Sequence, residues 1–293
     1  MLFRSVNVIL SPNPYRDLGL KAAQSAKKIL EHHGVETSIC LPFSLDERSR
    51  VEIPSHLKLT AMEKALPGAD MLICFGGDGT ILHAAKDANP YQIPILGVNM
   101  GSVGFMAELE HSELSLLSRL VSGKYVVEER MMLETVVKRE GKVVYRDTAL
   151  NDAVLTKGSV ARVLDLEVTG DRVTITAFSG DGVIICTPTG STAYSMAAGG
   201  PIVEPSAKNI IVTPICAHSL KVKPMVLDRD RTVGVRLEQG SRRSAYLSVD
   251  GGKSYKVLSS DRVEVRRAEQ VTRLIRLSGR SFYELIHQKL GKG

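Results

Sequence analysis

Two patterns alternate through the first 125 residues. Short continuous apolar runs at Val6 to Leu10, Val35 to Cys40, Met71 to Phe75 and Pro94 to Val98 predict buried strands. Between the first two, Leu18, Ala22, Ala26, Ile29 and Leu30 fall on one helical face, and Gly34 supplies a stop. Unalternating strands separated by amphipathic helices predict a parallel sheet covered on both faces. The stretch from Arg48 to Leu59 is polar, carries Pro54 and reads as a mobile loop.

Beyond Tyr125 the period becomes two. The runs at 133–152, 164–178 and 244–258 are rich in β-branched residues and are broken by Gly or Asp-Gly at hairpin spacing. They predict an antiparallel β domain over 126–265, interrupted by one helical stretch at Tyr194 to Ala198. A short amphipathic helix is expected at Ser281 to Leu290, after the strand-like run at 271–277. The expected organisation is an α/β domain over 1–125, a β-rich domain over 126–265, and a segment over 266–293 that packs back on the first.

Composition narrows the function. The chain has 293 residues, 43% hydrophobic and 24% charged, which is ordinary globular protein. No apolar stretch approaches the ~18 residues that cross a bilayer, and the N-terminus lacks the apolar core of a secretory signal. A cytoplasmic protein with no membrane partner is expected. The four cysteines form no C-x-x-C pair and no cluster at metal-ligand spacing, so neither a disulfide framework nor a structural zinc site is expected. Thirty-eight Lys and Arg against thirty-two Asp and Glu give +6, a mild bias toward anionic partners. Without tryptophan or a long basic run, and with 5% aromatic residues, the chain offers nucleic acid few stacking platforms. Small phosphorylated ligands are favoured over polymers.

Three motifs can carry chemistry. Gly76-Gly77-Asp78-Gly79-Thr80 follows a predicted strand and opens a predicted helix. Glycines at such a junction let the backbone approach an anion, and the helix N-terminus favours phosphate. The loop matches neither G-x-x-x-x-G-K-[ST] nor G-x-G-x-x-G. Instead it holds a carboxylate among the glycines, and Asp78 can orient or deprotonate an attacking hydroxyl. The plainer reading is a turn in which Asp78 caps the helix. Asn151-Asp152 can hold the two hydroxyls of a ribose or a metal-bound water, and is equally a common turn pair. The segment from Thr187 to Ser195 gathers four small hydroxyls at Thr187, Thr189, Ser191 and Thr192, with Ser195 at its end. These groups donate and accept hydrogen bonds, while Tyr194 offers a ring for a base. Its plainer reading is a Ser/Thr-rich connection capping a short helix. Asp181-Gly182 and Asp250-Gly251 both read as hairpin turns, which suffices for Asp250. His83 and His218 are taken as structural.

Together, GGDGT at 76–80, LND at 150–152, GDG at 180–182, TPTGSTAYSMAAGGPI at 187–202 and TPICAHSL at 213–220 resemble the NAD kinases in order and spacing. GGDGT is shared with lipid kinases and, in related form, with phosphofructokinases; the TPTGSTAYS segment is the specific part. The resemblance implies a Rossmann-like α/β domain followed by an antiparallel β domain that binds NAD, with the C-terminal segment returning to the first domain. It implies Mg²⁺-dependent transfer of the terminal phosphate of ATP, or of polyphosphate, to the 2′-hydroxyl of the adenosine ribose of NAD. Asp78 would be the base or hydroxyl-orienting group, with Gly76, Gly77, Gly79 and Thr80 at the phosphates. Asn151, Asp152 and Thr189 would contact NAD, Thr192, Ala193, Tyr194 and Ser195 would frame its adenosine, and Asp181 would reach its nicotinamide end. No residue is assigned as a metal ligand. Family members are usually homodimers or homotetramers, often with residues of a neighbouring subunit at the site. The chain has Ser179 where many members carry Arg, and Val222-Lys223-Pro224 where Asn-Arg-Pro is frequent. The remaining readings are a lipid or sugar kinase built on the same loop, and a non-catalytic module that senses NAD.

Overall fold

A computed structural model describes residues 6–43, 45, 51–101, 104–158, 163–238 and 244–291. Two compact units divide the chain: Met1–Glu129 with Thr272–Gly293, and Arg130–Val271. The chain leaves the first unit within one long strand and returns within another, Val126–Arg139 and Asp261–Arg276.

The first unit runs β1 (Asn7–Pro12), α1 (Lys21–His32), β2 (Glu36–Ile39), the one-turn α2 (Met62–Ala65), β3 (Met71–Gly76), α3 (Asp78–Ala88), β4 (Ile95–Asn99), the two-residue β5 (Leu109–Glu110) and α4 (Ser118–Val121). Strands β2, β1, β3 and β4 pair in parallel in that order. Their burial is nearly unbroken in β1, β3 and β4, as continuous apolar runs require when both faces are covered. Val8, Leu10, Ile73, Phe75, Leu96 and Val98 pack with Ala22, Ala26 and Leu30 of α1.

Leu18 was expected on the buried face of α1, yet it is 69% exposed. Gly19 and Leu20 take left-handed backbone at φ 65° and 54°, which separates a short 3₁₀ turn from α1 and puts Leu18 out of the helical phase. Of the segment expected as a mobile loop, residues 48–50 lie outside those described. Residues 51–58 form no helix or strand, and Leu59 makes one parallel bridge to Ile39.

The second unit runs β6 (Val126–Arg139), β7 (Lys142–Ala149), β8 (Asp152–Lys157), β9 (Leu164–Gly170), β10 (Val173–Gly180), β11 (Gly182–Cys186), the four-residue α5 (Tyr194–Ala197), β12 (Asn209–Ile215), β13 (Met225–Asp228), β14 (Val233–Leu237), β15 (Ala245–Val249), β16 (Tyr255–Val257) and β17 (Asp261–Arg276). One antiparallel sheet orders β13, β12, β11, β8, β15 and β16. Strands β10, β9, β14 and β17 form a second antiparallel array, and the hairpin of β6 and β7 joins it through β17. Alternate residues of both, among them Leu155, Val183, Val212 and Leu247 against Leu166, Val235 and Val263, make one apolar interior.

Asp250-Gly251 is the expected hairpin turn, both residues at positive φ between β15 and β16. Asp181 is not one. β10 pairs with β9 and β11 with β8 and β12, so Asp181 marks the point where the chain leaves one sheet for the other. After β17 the chain ends in α6 (Phe282–Leu290), whose capping box joins Ser281 and Glu284. Thr272–Gly293 belongs to the first unit, where Leu274 pairs in parallel with Ile95 of β4.

Candidate functional site

In the first unit the glycine loop bends from the end of β3 into α3. Gly76 is required by packing, because a Cβ there would lie 2.1 Å from Thr80 Oγ1. At Gly77 and Gly79 an added Cβ would meet nothing within 4 Å, so their bare backbone serves to keep the surface open. Gly77 is the N-cap of α3, its carbonyl accepting the N–H groups of Thr80 and Ile81; no side chain caps the helix, which leaves the N–H groups of Asp78 and Gly79 for another acceptor.

Asp78 does not cap α3. Its Oδ2 accepts the backbone N–H of Phe105 at 2.8 Å and its Oδ1 that of Met106 at 3.1 Å. A Cβ on Gly104 would sit 2.0 Å from Asp78 Oδ1, so the 104–106 strip closes on the carboxylate as only glycine permits. Arg276 holds the strip by donating to Met106 O at 3.1 Å, and pairs with buried Glu108, which accepts the N–H groups of Leu277 and Ser278. Each Asp78 oxygen keeps a second lone pair for a hydroxyl. Beside the loop lies a cavity of about 210 Å³ lined by Asn13, Arg16, Gly77, Gly79, Thr80, Asn99, Met100 and Gly101. Thr80 is buried, and its hydroxyl accepts from Asn13 Nδ2 at 3.3 Å.

The second unit gathers a polar cluster where β8 begins and β11 ends. Asp250 accepts three consecutive backbone N–H groups, Leu150 at 2.7 Å, Asn151 at 2.8 Å and Asp152 at 3.0 Å. Its turn role therefore explains only half of it: the carboxylate shapes the Asn-Asp pair. Thr187 clamps the same segment, its hydroxyl on Leu150 O at 2.6 Å and its N–H on Asn151 O at 2.9 Å. Gly190 lies flat on Asn151, where a Cβ would come within 2.2 Å of the carbonyl oxygen. Asn151 is 8% exposed and its Oδ1 has no hydrogen-bond partner among the described residues. An unmet buried acceptor is costly, and suits a ligand donor. Burial and the Asp250 carboxylate push Asp152 up to about 7.

The hydroxyl-rich segment lies along the outer face of this sheet, where Ala198 and Val203 pack on Val154, Ile184 and Ile211. Its side chains divide into two groups. Ser195 is fully buried and bonds Thr213 at 2.8 Å, Thr189 is buried and accepts from Arg130 at 3.2 Å, and Ser191 bonds Pro188 and Val203. Thr192 and Ala193 are half-buried, and Tyr194 is 45% exposed, so these three present themselves to a ligand. Asp181 is not gathered with Asn151 and Asp152. It pairs with Lys157 at 2.6 Å at the opposite end of the five-residue β11, roughly 17 Å of strand away. His83 and His218 are exposed.

Sequence reasoning missed Arg16, Asn99, Phe105, Glu108 and Arg130. Phe105 acts through its backbone N–H, which leaves no trace in residue type, and the others carry no motif of their own.

A glycine-walled cavity beside a fixed carboxylate, on an α/β unit joined in sequence to an antiparallel β unit, characterises the fold. Two solved structures share it over nearly the whole chain. A yeast NADH kinase complexed with NADH covers 100% of this chain and 89% of its own, with TM-score 0.83 and 24% identity. An NAD kinase from Archaeoglobus fulgidus in complex with ATP covers 98% and 99%, with TM-score 0.72 and 22% identity. The family models for the ATP-NAD kinase N-terminal and C-terminal domains match residues 11–125 and 150–277. The NAD kinase of Acetivibrio thermocellus is 40% identical over 283 residues, 95% of each chain, and that of Symbiobacterium thermophilum 44% over 222 residues, 75% of this chain and 78% of its own. The chain belongs to the NAD kinase family.

Proposed function

We propose that the protein phosphorylates NAD, transferring the terminal phosphate of ATP to the 2′-hydroxyl of the adenosine ribose to give NADP. The observation that carries the mechanism is Asp78, held by two backbone N–H groups beside a cavity walled by Gly77 and Gly79. The 2′-oxygen bonds to the terminal phosphorus, the bond from that phosphorus to the bridging oxygen breaks, and ADP leaves. The hydroxyl proton passes to Asp78. A carboxylate is a weak base toward a sugar hydroxyl, so Asp78 acts mainly by holding the nucleophile in line. Oriented N–H groups of the glycine loop and the start of α3 offset the charge on the transferred phosphoryl.

We assign the donor to the α/β unit and NAD to the β unit. Asn151 Oδ1, Asp152, Thr192, Ala193 and Tyr194 would receive the adenosine half, with Thr189 and Ser195 shaping the loop from beneath. Asp181 would serve the nicotinamide end of the dinucleotide. A homodimer or homotetramer is the proposed assembly. Magnesium is proposed to enter with the donor, as MgATP or as magnesium polyphosphate. No helix among the described residues is long and apolar enough to cross a membrane, and the cytoplasm is the proposed location. Family membership does not favour a lipid or sugar kinase.

The test is incubation of the purified chain with NAD or NADH, MgATP or magnesium polyphosphate, and measurement of NADP and NADPH. NADP from NAD and MgATP is expected; no product in any combination removes the reading.

A further inference from the structure

We propose that Arg16 grips the phosphate chain of the phosphoryl donor and sets the enzyme's affinity for it, an assignment that rests on the kinase reading above. Arg16 lines the glycine-loop cavity, and its Nη1 lies 3.8 Å from the Cβ position of Gly101 on the same wall.

The loop that carries Arg16 is fastened to the glycine loop. Asn13 donates its backbone N–H to Phe75 O at 2.9 Å, at the end of β3, and its side-chain amide to Thr80 Oγ1. Asn13 also closes the turn, its carbonyl accepting the N–H groups of Arg16 and Asp17 at 3.0 and 2.8 Å and its Oδ1 that of Tyr15. Asp17 is buried and accepts the N–H groups of Ala22 and Ala23 in the first turn of α1. Arg16 thus stands between two anchored residues, exposed on the cavity.

Among the described residues, no carboxylate forms an ion pair with Arg16: Asp17 is taken up by α1, and Asp78 by Phe105 and Met106. Among the described residues the lining is otherwise neutral, being glycine backbone, two asparagines, a methionine and a threonine. A guanidinium that lines the same cavity as the glycine loop matches adjacent phosphates by charge and bidentate geometry. The cavity, about 210 Å³ against the ~30 Å³ of a water, has room for a chain of phosphates. Arg16 therefore recognises what ATP and inorganic polyphosphate have in common.

The experiment compares the full-length wild type with Arg16→Ala and Arg16→Lys. Initial rates are measured with MgATP and with magnesium polyphosphate, varying donor and NAD separately, and binding of inorganic tripolyphosphate is measured by calorimetry without NAD. Arg16→Ala is expected to raise the donor KM and the tripolyphosphate Kd about tenfold or more, leaving the NAD KM unchanged. Arg16→Lys, which keeps the charge without the fork, should recover part of the loss. An effect with ATP and none with polyphosphate would move Arg16 to the nucleoside and overturn the assignment. So would a raised NAD KM with unchanged donor KM, or an unchanged tripolyphosphate Kd. If the wild type makes no NADP yet binds tripolyphosphate through Arg16, the reaction fails while the anion grip stands.

Discussion

Asp78 Oδ2 accepts the backbone N–H of Phe105 at 2.8 Å across 27 residues of chain. The bond fixes the one carboxylate of the glycine loop from outside its own helix, and because the donor is a backbone group, no change at Phe105 short of proline removes it. Gly104 is the point at which it can be disturbed.

Gly104→Ala would place a Cβ 2.0 Å from Asp78 Oδ1, and the carboxylate must turn away. Displacement of a catalytic group by about 1 Å costs on the order of a hundredfold in rate. The expected result is a fall in kcat of that order with a melting temperature close to wild type, read by steady-state kinetics and calorimetry.

Asp250→Ala removes the acceptor of three N–H groups at the start of β8. Hydrogen bonds to a charged group are worth about 1.5–3 kcal/mol each, part of which water recovers at this half-exposed turn. Urea unfolding should show a loss of about 2 kcal/mol or more, together with a raised NAD KM from the released Asn151. A loss of stability with an unchanged NAD KM would detach the Asn-Asp pair from dinucleotide binding.

Asp152 carries a pH signature. Its carboxyl ionises only at about 7 in the fold, against an ordinary value of 3.8, through burial and the neighbouring Asp250. A raised folded pKa favours the fold while the group is protonated; relative to a neutral isostere, the wild type loses stability as pH rises from about 4 and levels off above about 7. Asp152→Asn should therefore gain in melting temperature over the wild type across that window. A constant difference from pH 4 to 8 would contradict the buried, protonated state.

The parallel strands and the glycine loop were legible because continuous apolar runs ending in glycine have few other uses. So was the β unit, from its period of two. What escaped the sequence shares a physical cause: the interactions are set by backbone or by sheet direction. Asp250 fits a hairpin turn so well that nothing in the chain hints at the three amides it holds. Ser195 and Thr189 share a loop with Tyr194, but only the fold separates hydroxyls buried on Thr213 and Arg130 from a ring open to solvent. Asp181 and Asn151 resemble parts of one site until β11 is seen to run between their ends. Leu18 left the helical phase through the backbone at Gly19 and Leu20.

In the proposed reaction Asp78 orients the 2′-hydroxyl of NAD for attack on the terminal phosphate of ATP. The most direct measurement sets NADP formation by the wild type beside Asp78→Asn under saturating NAD and MgATP, with NAD binding followed separately. Steady NADP formation is expected from the wild type and, in the variant, a rate lower by about two to four orders of magnitude at unchanged NAD affinity. No NADP from the wild type, or more than about a tenth of its rate surviving in Asp78→Asn, would contradict it.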